Sequence, residues 1–384
     1  MLALITRRGE MYVASKKTRR FIQVLRSLLD NDRQKSVHQI EEIIMKKLVL
    51  AAAIATLGVA AALPASAAGD FKSRNIRLSN GLAQDHPVGN GVKVFNECVQ
   101  EKSGGKMKIT SYWSSSLGDD LQATQALRSG TQEAVITSSS PLVGLVPALG
   151  VFDLPFLFSN EKEADAIMDG DFGKFINEKL DAAGVINLAY WENGFRNLSN
   201  SKHPVNKWED FGDLKLRVMQ NNIFLDTFRT MGANATPMAF GEIFSALETS
   251  AIDGQENPFV TIDTSKFYEV QKYISVTNHA YTPFLVLFSK PIWSTYTDDE
   301  KAALRECAVL GGQEERRVIR TMNGESLAKI KEAGLEVNEV SPAEQERMRE
   351  KVQSVYEKHK ETIGADVVDR VQKELADLRA KSSS

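Results

Sequence analysis

From residue 75 onward the apolar positions switch repeatedly between a period of two and a period near 3.6. Residues 75–80 place Ile76 and Leu78 two apart, the mark of a strand. Helical spacing follows over about 87–103, then a strand at 107–112, a helix at 121–129 and a strand at 133–137. Such alternation predicts an α/β lobe with helices laid on a largely parallel sheet. The run Lys102-Ser103-Gly104-Gly105-Lys106 stops the first helix: glycine supplies a left-handed cap and the basic residues complement the dipole, so it marks a boundary rather than a phosphate loop.

A further strand is read at 185–191, and the run PFLVLFS, with its strand at 284–288, is apolar enough to be central. Between them Leu214, Leu216 and Val218 alternate with Lys215 and Arg217, a half-buried strand with Arg217 on the face opposite its apolar neighbours. A helix, a turn and a second helix follow. A chain that crosses between two lobes more than once forms a hinge. Thr297-Asp298-Asp299-Glu300 fits a capping box, and the helical pattern then runs to about Glu332, a length of roughly 50 Å at 1.5 Å per residue, with Gly311-Gly312 expected as a bend. Two amphipathic helices, about 342–360 and 367–380, close the chain, their charges forming a solvated face.

The N-terminal pattern is different. Residues 45–67 read MKKLVLAAAIATLGVAAALPASA: two lysines, an apolar stretch and a small-residue site, as in a secretory signal peptide cleaved after Ala67. The run from Leu48 to Leu63 is shorter than the roughly 20 residues of a membrane span. Export to the periplasm is the expectation. Because that segment begins with its own methionine, residues 1–44 read as a non-native extension and Met45 competes with Met1 as the true start. Removing residues 1–67 takes 11 of 47 basic and 5 of 50 acidic residues, leaving 36 against 45, a formal net charge of −9. An acidic surface argues against nucleic acid as a partner and requires any anionic ligand to be held by a local cationic site. Cys98 and Cys307 are far apart in helical segments; a disulfide is open to them in an oxidising compartment, but nothing in the sequence places their Cα atoms within bridging distance, and the reading favours buried free thiols.

Arg217 is the residue from which chemistry can be argued. A guanidinium fixed on a strand presents parallel N–H donors that match the two oxygens of a carboxylate, which the point charge of lysine does not. Around it stand Lys215-Leu216-Arg217-Val218, Gly232-Ala233-Asn234, Thr236-Pro237-Met238-Ala239-Phe240, Glu242 and Asp253-Gly254-Gln255-Glu256-Asn257-Pro258. Elsewhere come Ser116-Leu117-Gly118, Phe152-Asp153-Leu154-Pro155-Phe156, Gly194-Phe195-Arg196 and Lys266-Phe267-Tyr268-Glu269-Val270-Gln271. Together these resemble the DctP-type solute-binding family, the extracytoplasmic receptors of tripartite ATP-independent periplasmic (TRAP) transporters, from about Arg77 to the last helix.

The resemblance implies an α/β two-lobe clamshell with hinge strands and a long helix spanning both lobes, divided as 68–194 plus 283–322 and 195–282 plus 323–380. It implies Arg217 as a carboxylate clamp, Arg196 as a second guanidinium, Asn257 as an amide donor, Phe240 as a ring stacking on the ligand and Gln220 as a polar neighbour; Phe240 also reads as core and Gln220 as a surface residue. Ser138 ends a strand where α/β sheets present ligands, and its identity departs from the acidic residue of sialic-acid-binding members. Asp85 and His86, before the first helix, are candidates for a hydroxyl or second carboxylate, with Asp85 equally readable as an N-cap. Catalytic patterns are missing: His86, His203, His279 and His359 are scattered, no cofactor or metal motif is present, and Asp119-Asp120 read as helix-start residues. The expected role is a monomeric receptor delivering a small organic acid, a dicarboxylate or a sugar acid, to the small and large permease subunits; presentation to a membrane receptor kinase is the other reading.

Overall fold

The α/β alternation folds into a mixed sheet threaded by two very long strands. The computed structural model describes residues 69–382, together with Leu4–Ile5, Met11–Tyr12 and Gln23. The chain divides into two units, Met1–Ala68 and Gly69–Ser384. In the first, Leu4–Ile5 pairs antiparallel with Met11–Tyr12; the expected signal peptide, and the rest of the extension before it, lie outside the described residues.

The second unit begins with β1 (Arg74–Asn80), α1 (Val88–Lys102), β2 (Met107–Tyr112), α2 (Asp120–Arg128) and β3 (Ala134–Ser138), with β1 parallel to both β2 and β3. Helices α3 (Glu161–Met168) and α4 (Asp171–Ala182) lead to β4 (Val185–Asn200). Next come β5 (Lys215–Val218), α5 (Asn222–Thr230), β6 (Asn234–Pro237), α6 (Ile243–Glu248), β7 (Gly254–Asn257), α7 (Phe259–Thr264) and β8 (Tyr273–Ser289). The chain finishes with α8 (Lys290–Trp293), α9 (Asp298–Glu332), β9 (Glu336–Glu339), α10 (Pro342–Lys351), α11 (Gln353–Ile363) and α12 (Ala365–Ser382). Among the described residues the sheet runs β2-β1-β3-β8-β4-β7-β5-β6, with β9 beside β8.

Strands β4 and β8 pair antiparallel almost throughout, so they join the β1–β3 half of the sheet to the β5–β7 half. Their register shifts between Ser275 and Ala280 and again between Thr282 and Pro283, where the pairing moves from Gly194 to Glu192. Irregularities of this kind bend a strand and increase its twist locally. The sequence pattern shows only one apolar end of each strand, 185–191 and 284–288, because the residues near them, Glu192-Asn193-Gly194 and Thr277-Asn278-His279, are polar.

Helix α9 starts at the expected capping box, with Thr297 and Glu300 bonded reciprocally. It runs 35 residues without interruption, so Gly311-Gly312 do not break it. These glycines serve close approach instead: a Cβ at Gly311 would lie 2.7 Å from the Gly91 carbonyl oxygen, and one at Gly312 2.7 Å from the Trp191 ring. The helix is anchored in two separate cores. Leu304, Cys307 and Ala308 pack with Ile76, Phe95, Trp191 and Phe288, whereas Ile330 packs with Ile243, Ile262 and Ile274. A third core gathers Phe152, Phe172, Phe224 and Phe228 with Val355 and Val367 of the last helices.

Two further expectations are corrected. Cys98 and Cys307 form a disulfide, Cα to Cα 5.5 Å, because α1 and α9 pack side by side across 209 residues of sequence. The final helical pair is three helices, since Val352 and Gly364 interrupt the pattern.

Candidate functional site

Between the two halves of the sheet lies a cavity, part of it open to solvent. Its wall includes Ser138, Arg196, Arg217, Gln220, Phe240 and Asn257, so six of the eight residues singled out from the sequence converge there. Strand order explains the convergence: β3, β4, β5 and β7 all bring an end or a bulge to this point, and residues as distant in sequence as Ser138 and Asn257 line one cavity.

Arg217, on β5, is 3% exposed. Its Nε donates to the Met238 carbonyl at 3.0 Å, while its Nη1 is buried without a hydrogen-bond partner. Burial pushes its pKa down to about 10, against the attraction of Glu256. Arg196, on β4, differs. It is fully buried, and its Nε and Nη2 donate to the two carboxylate oxygens of Glu256 at 2.5 and 3.0 Å. Burial alone would raise Glu256, but Arg196 and the His279 hydrogen bond draw it down to about 2. Arg196 thus reaches the cavity already paired, and Arg217 is the guanidinium with donor capacity left.

Asn257 accepts from Arg196 Nη2 at 3.1 Å and donates to Gln255 Oε1 at 2.5 Å, which leaves one of its two amide N–H groups. Ser138 sits at the end of β3, its hydroxyl 3.7 Å from the Met219 sulfur. Phe240 lines the cavity and also packs on two of the cores, its ring 6.0 Å from that of Phe267. Phe240 is therefore both a wall residue of the cavity and a partly buried core residue.

Asp85 and His86 do not line the cavity. Asp85 is exposed, and the N-cap of α1 is Pro87, which makes no side-chain cap. His86 is buried one layer behind the wall: its Nδ1 accepts from the Val88 N–H at 3.2 Å, and its Nε2 is 3.4 Å from the hydroxyl of the wall residue Thr261. Burial pushes its pKa down to about 3, so the ring is neutral at pH 7 and offers no charge to an anion.

Sequence reasoning missed Asp120 and Asn193. Asp119 caps α2 as expected, in a capping box with Gln122, but the adjacent Asp120 carboxylate faces the cavity. Burial raises it to about 6, against the Thr137 hydroxyl and Arg217. Asn193 donates to Thr282 at 3.0 Å while its Oδ1 is buried without a partner at the wall. The only signal for Asp120 was a second acid beside a cap, and acids are ordinary in the first turn of any helix. Among the described residues no group of His, Cys, Asp and Glu is placed to hold a metal ion, and no helix is long and apolar enough to cross a membrane.

The comparisons with known proteins agree with one another. Residues 78–362 match the DctP family, bacterial extracellular solute-binding protein family 7. The 2,3-diketo-L-gulonate-binding periplasmic protein YiaO of Escherichia coli is 33% identical over 277 residues, covering 72% of this chain and 84% of that protein. The C4-dicarboxylate-binding periplasmic protein DctP of Rhodobacter capsulatus is 30% identical over 304 residues, 79% of this chain and 91% of that protein. The crystal structure of the sugar acid binding protein DctPAm from Advenella mimigardefordensis, in complex with galactonate, superposes with a TM-score of 0.78 at 46% identity, covering 80% of this chain and 99% of that one. This chain belongs to the DctP family of extracellular solute-binding proteins, which are TRAP transport receptors rather than enzymes.

Proposed function

We propose that the protein is a periplasmic receptor that holds the carboxylate of a small organic acid on Arg217 and delivers it to the small and large subunits of an ion-gradient-driven TRAP permease. One observation carries this reading: a guanidinium 3% exposed, facing a cavity, with Nη1 bonded to nothing. A buried unpaired charge is costly, and an entering carboxylate supplies the missing partner in a bidentate pair. Asn257 offers a remaining N–H to the same group, and Arg196 adds positive potential softened by Glu256. The ligands named for the relatives, a diketo sugar acid, C4-dicarboxylates and galactonate, share a carboxylate.

The two lobes are residues 68–194 plus 283–322 and 195–282 plus 323–380. In this reading β4 and β8 cross between the lobes, and the irregular pairing near Gly194 and Thr282 and the two cores shared by α9 support a hinge there. The carboxylate favours the closed form through contacts that only that form completes, and the closed form docks on the permease.

Calorimetric titration of those three ligand types tests the reading. Micromolar binding corresponds to about −8.2 kcal/mol, and removing one partner of a buried ion pair costs about 3–5 kcal/mol. Arg217→Ala then abolishes measurable binding and Arg217→Lys weakens it severely; unchanged affinity in Arg217→Lys refutes the fork.

A further inference from the structure

The cavity also carries information on which acids it accepts. Its charged wall residues are Arg196, Arg217 and Asp120. Arg196 is matched by Glu256 in a two-oxygen pair, so the charges left to meet a ligand are one guanidinium and one carboxylate. A ligand with a single carboxylate satisfies Arg217 and brings the cavity to one net negative charge. A ligand with two carboxylates brings two, with Asp120 already contributing a negative charge to the same wall.

Asp120 is also set for a different contact. An added Cβ on Gly81 would lie 3.5 Å from Asp120 Oδ1 and 4.0 Å from Phe240 Cδ1, so carboxylate and ring flank the same wall position. An ionised carboxylate only accepts hydrogen bonds, and hydroxyl groups are the donors that meet it; an aromatic face beside it covers the C–H side of a carbon chain. The pair suits a polyol.

Resting on the reading that Arg217 holds a carboxylate, we propose that Asp120 makes this site select hydroxylated monocarboxylates, accepting hydroxyl hydrogen bonds from the ligand's chain and repelling a second carboxylate. The groups facing Asp120 are Asp119 on its own helix start, Thr137 on β3 and Arg217 on β5, with Glu242 acting on Arg217 from beyond. Asp119 reinforces the negative potential, whereas Thr137 and Arg217 hold Asp120 ionised at neutral pH.

The test uses two pairs matched in carbon skeleton, galactonate with galactarate and threonate with tartrate, titrated calorimetrically against the native protein, Asp120→Asn and Asp120→Ala. At pH 7.5 the native protein prefers the monocarboxylate of at least one pair by tenfold or more. Asp120→Asn, isosteric and uncharged, shrinks that ratio at least tenfold, by weakening the monocarboxylate and strengthening its diacid partner. Lowering the pH to 5 shrinks the ratio in the native protein and leaves Asp120→Asn unchanged, a readout that a purely structural role would not move. Asp120→Ala loses the hydroxyl contact as well and separates acceptance from repulsion.

The proposal is overturned if the native protein binds a diacid as tightly as its monocarboxylate partner, if the ratio survives Asp120→Asn, or if neither pair binds. The carboxylate reading is judged separately, by whether Arg217→Ala abolishes binding of succinate, galactonate and the other acids. Loss of that binding with an unmoved ratio in Asp120→Asn sinks the selectivity alone.

Discussion

Replacing Arg217 with methionine should make the ligand-free protein more stable while destroying its ability to bind. A guanidinium whose pKa falls from 12.5 to about 10 is disfavoured as the cation by about 3 kcal/mol in the fold. At pH 7 both folded and unfolded chains hold the proton, so this penalty is fully present there. Methionine keeps an unbranched stem in the space of the arginine stem and carries no charge to desolvate. Against the gain stands the Met238 carbonyl, which loses the Nε donor at 3.0 Å, a loss of about 1 kcal/mol. The balance is about 2 kcal/mol in favour of the variant. With a melting entropy near 2.1 cal/mol/K per residue, over residues 69–382 that is a rise of about 3 °C. Differential scanning fluorimetry on protein stripped of co-purified ligand by unfolding and refolding reads it directly. A saturating carboxylate raises the native melting temperature and leaves the variant's unmoved; at a hundredfold Kd the native gain is about 2.7 kcal/mol. If Arg217→Met melts several degrees below the native protein without ligand, the guanidinium is a structural residue and the argument from its unpaired Nη1 fails.

Other outcomes follow from the same structure. Asp153 is 1% exposed, bonded to Ser140 and Asn221, and burial pushes its pKa up to about 8. The native state then holds a proton that the unfolded chain releases above its own value near 3.8, so stability falls as pH rises from about 4 to about 8. Asp153→Asn flattens that slope in urea titrations across pH; an unaltered slope contradicts the assignment. The Cys98–Cys307 bridge closes 209 residues, and the chain-entropy relation gives an upper bound of about 5 kcal/mol for its contribution. Denaturant midpoints with and without reductant measure it, and coincidence of the two curves would remove the bridge from the account. Gly312→Ala drives a Cβ to within 2.7 Å of the Trp191 ring, and overpacking of this kind costs about 1–3 kcal/mol. A Gly312→Ala protein as stable as the native one would mean that α9 and β4 can separate freely.

The sequence alone determined the local elements and their chemistry wherever a short-range signal was complete. Period-two spacing placed Arg217 on a strand, the capping box opened α9 at the right residue, the family resemblance named Arg196, Asn257, Phe240 and Gln220, and a strand end named Ser138, all of which reach one cavity. What failed had its cause in distant partners. Gly311-Gly312 read in isolation as a break in the helical pattern, until Gly91 and Trp191 show that the missing side chains make room for packing within a continuous helix. Cys98 and Cys307 became a bridge only when α1 and α9 were laid together. Asp120 reads as one of two helix-start acids, and only the fold brings it to the cavity wall together with Arg217. The difference between the two arginines, one matched by Glu256 and one left with an unpaired Nη1, was likewise settled in space. Backbone periods and caps act over a few residues and are written in the chain, whereas charge pairing, burial and close approach depend on which segments meet, and that is decided by the packing of the whole fold.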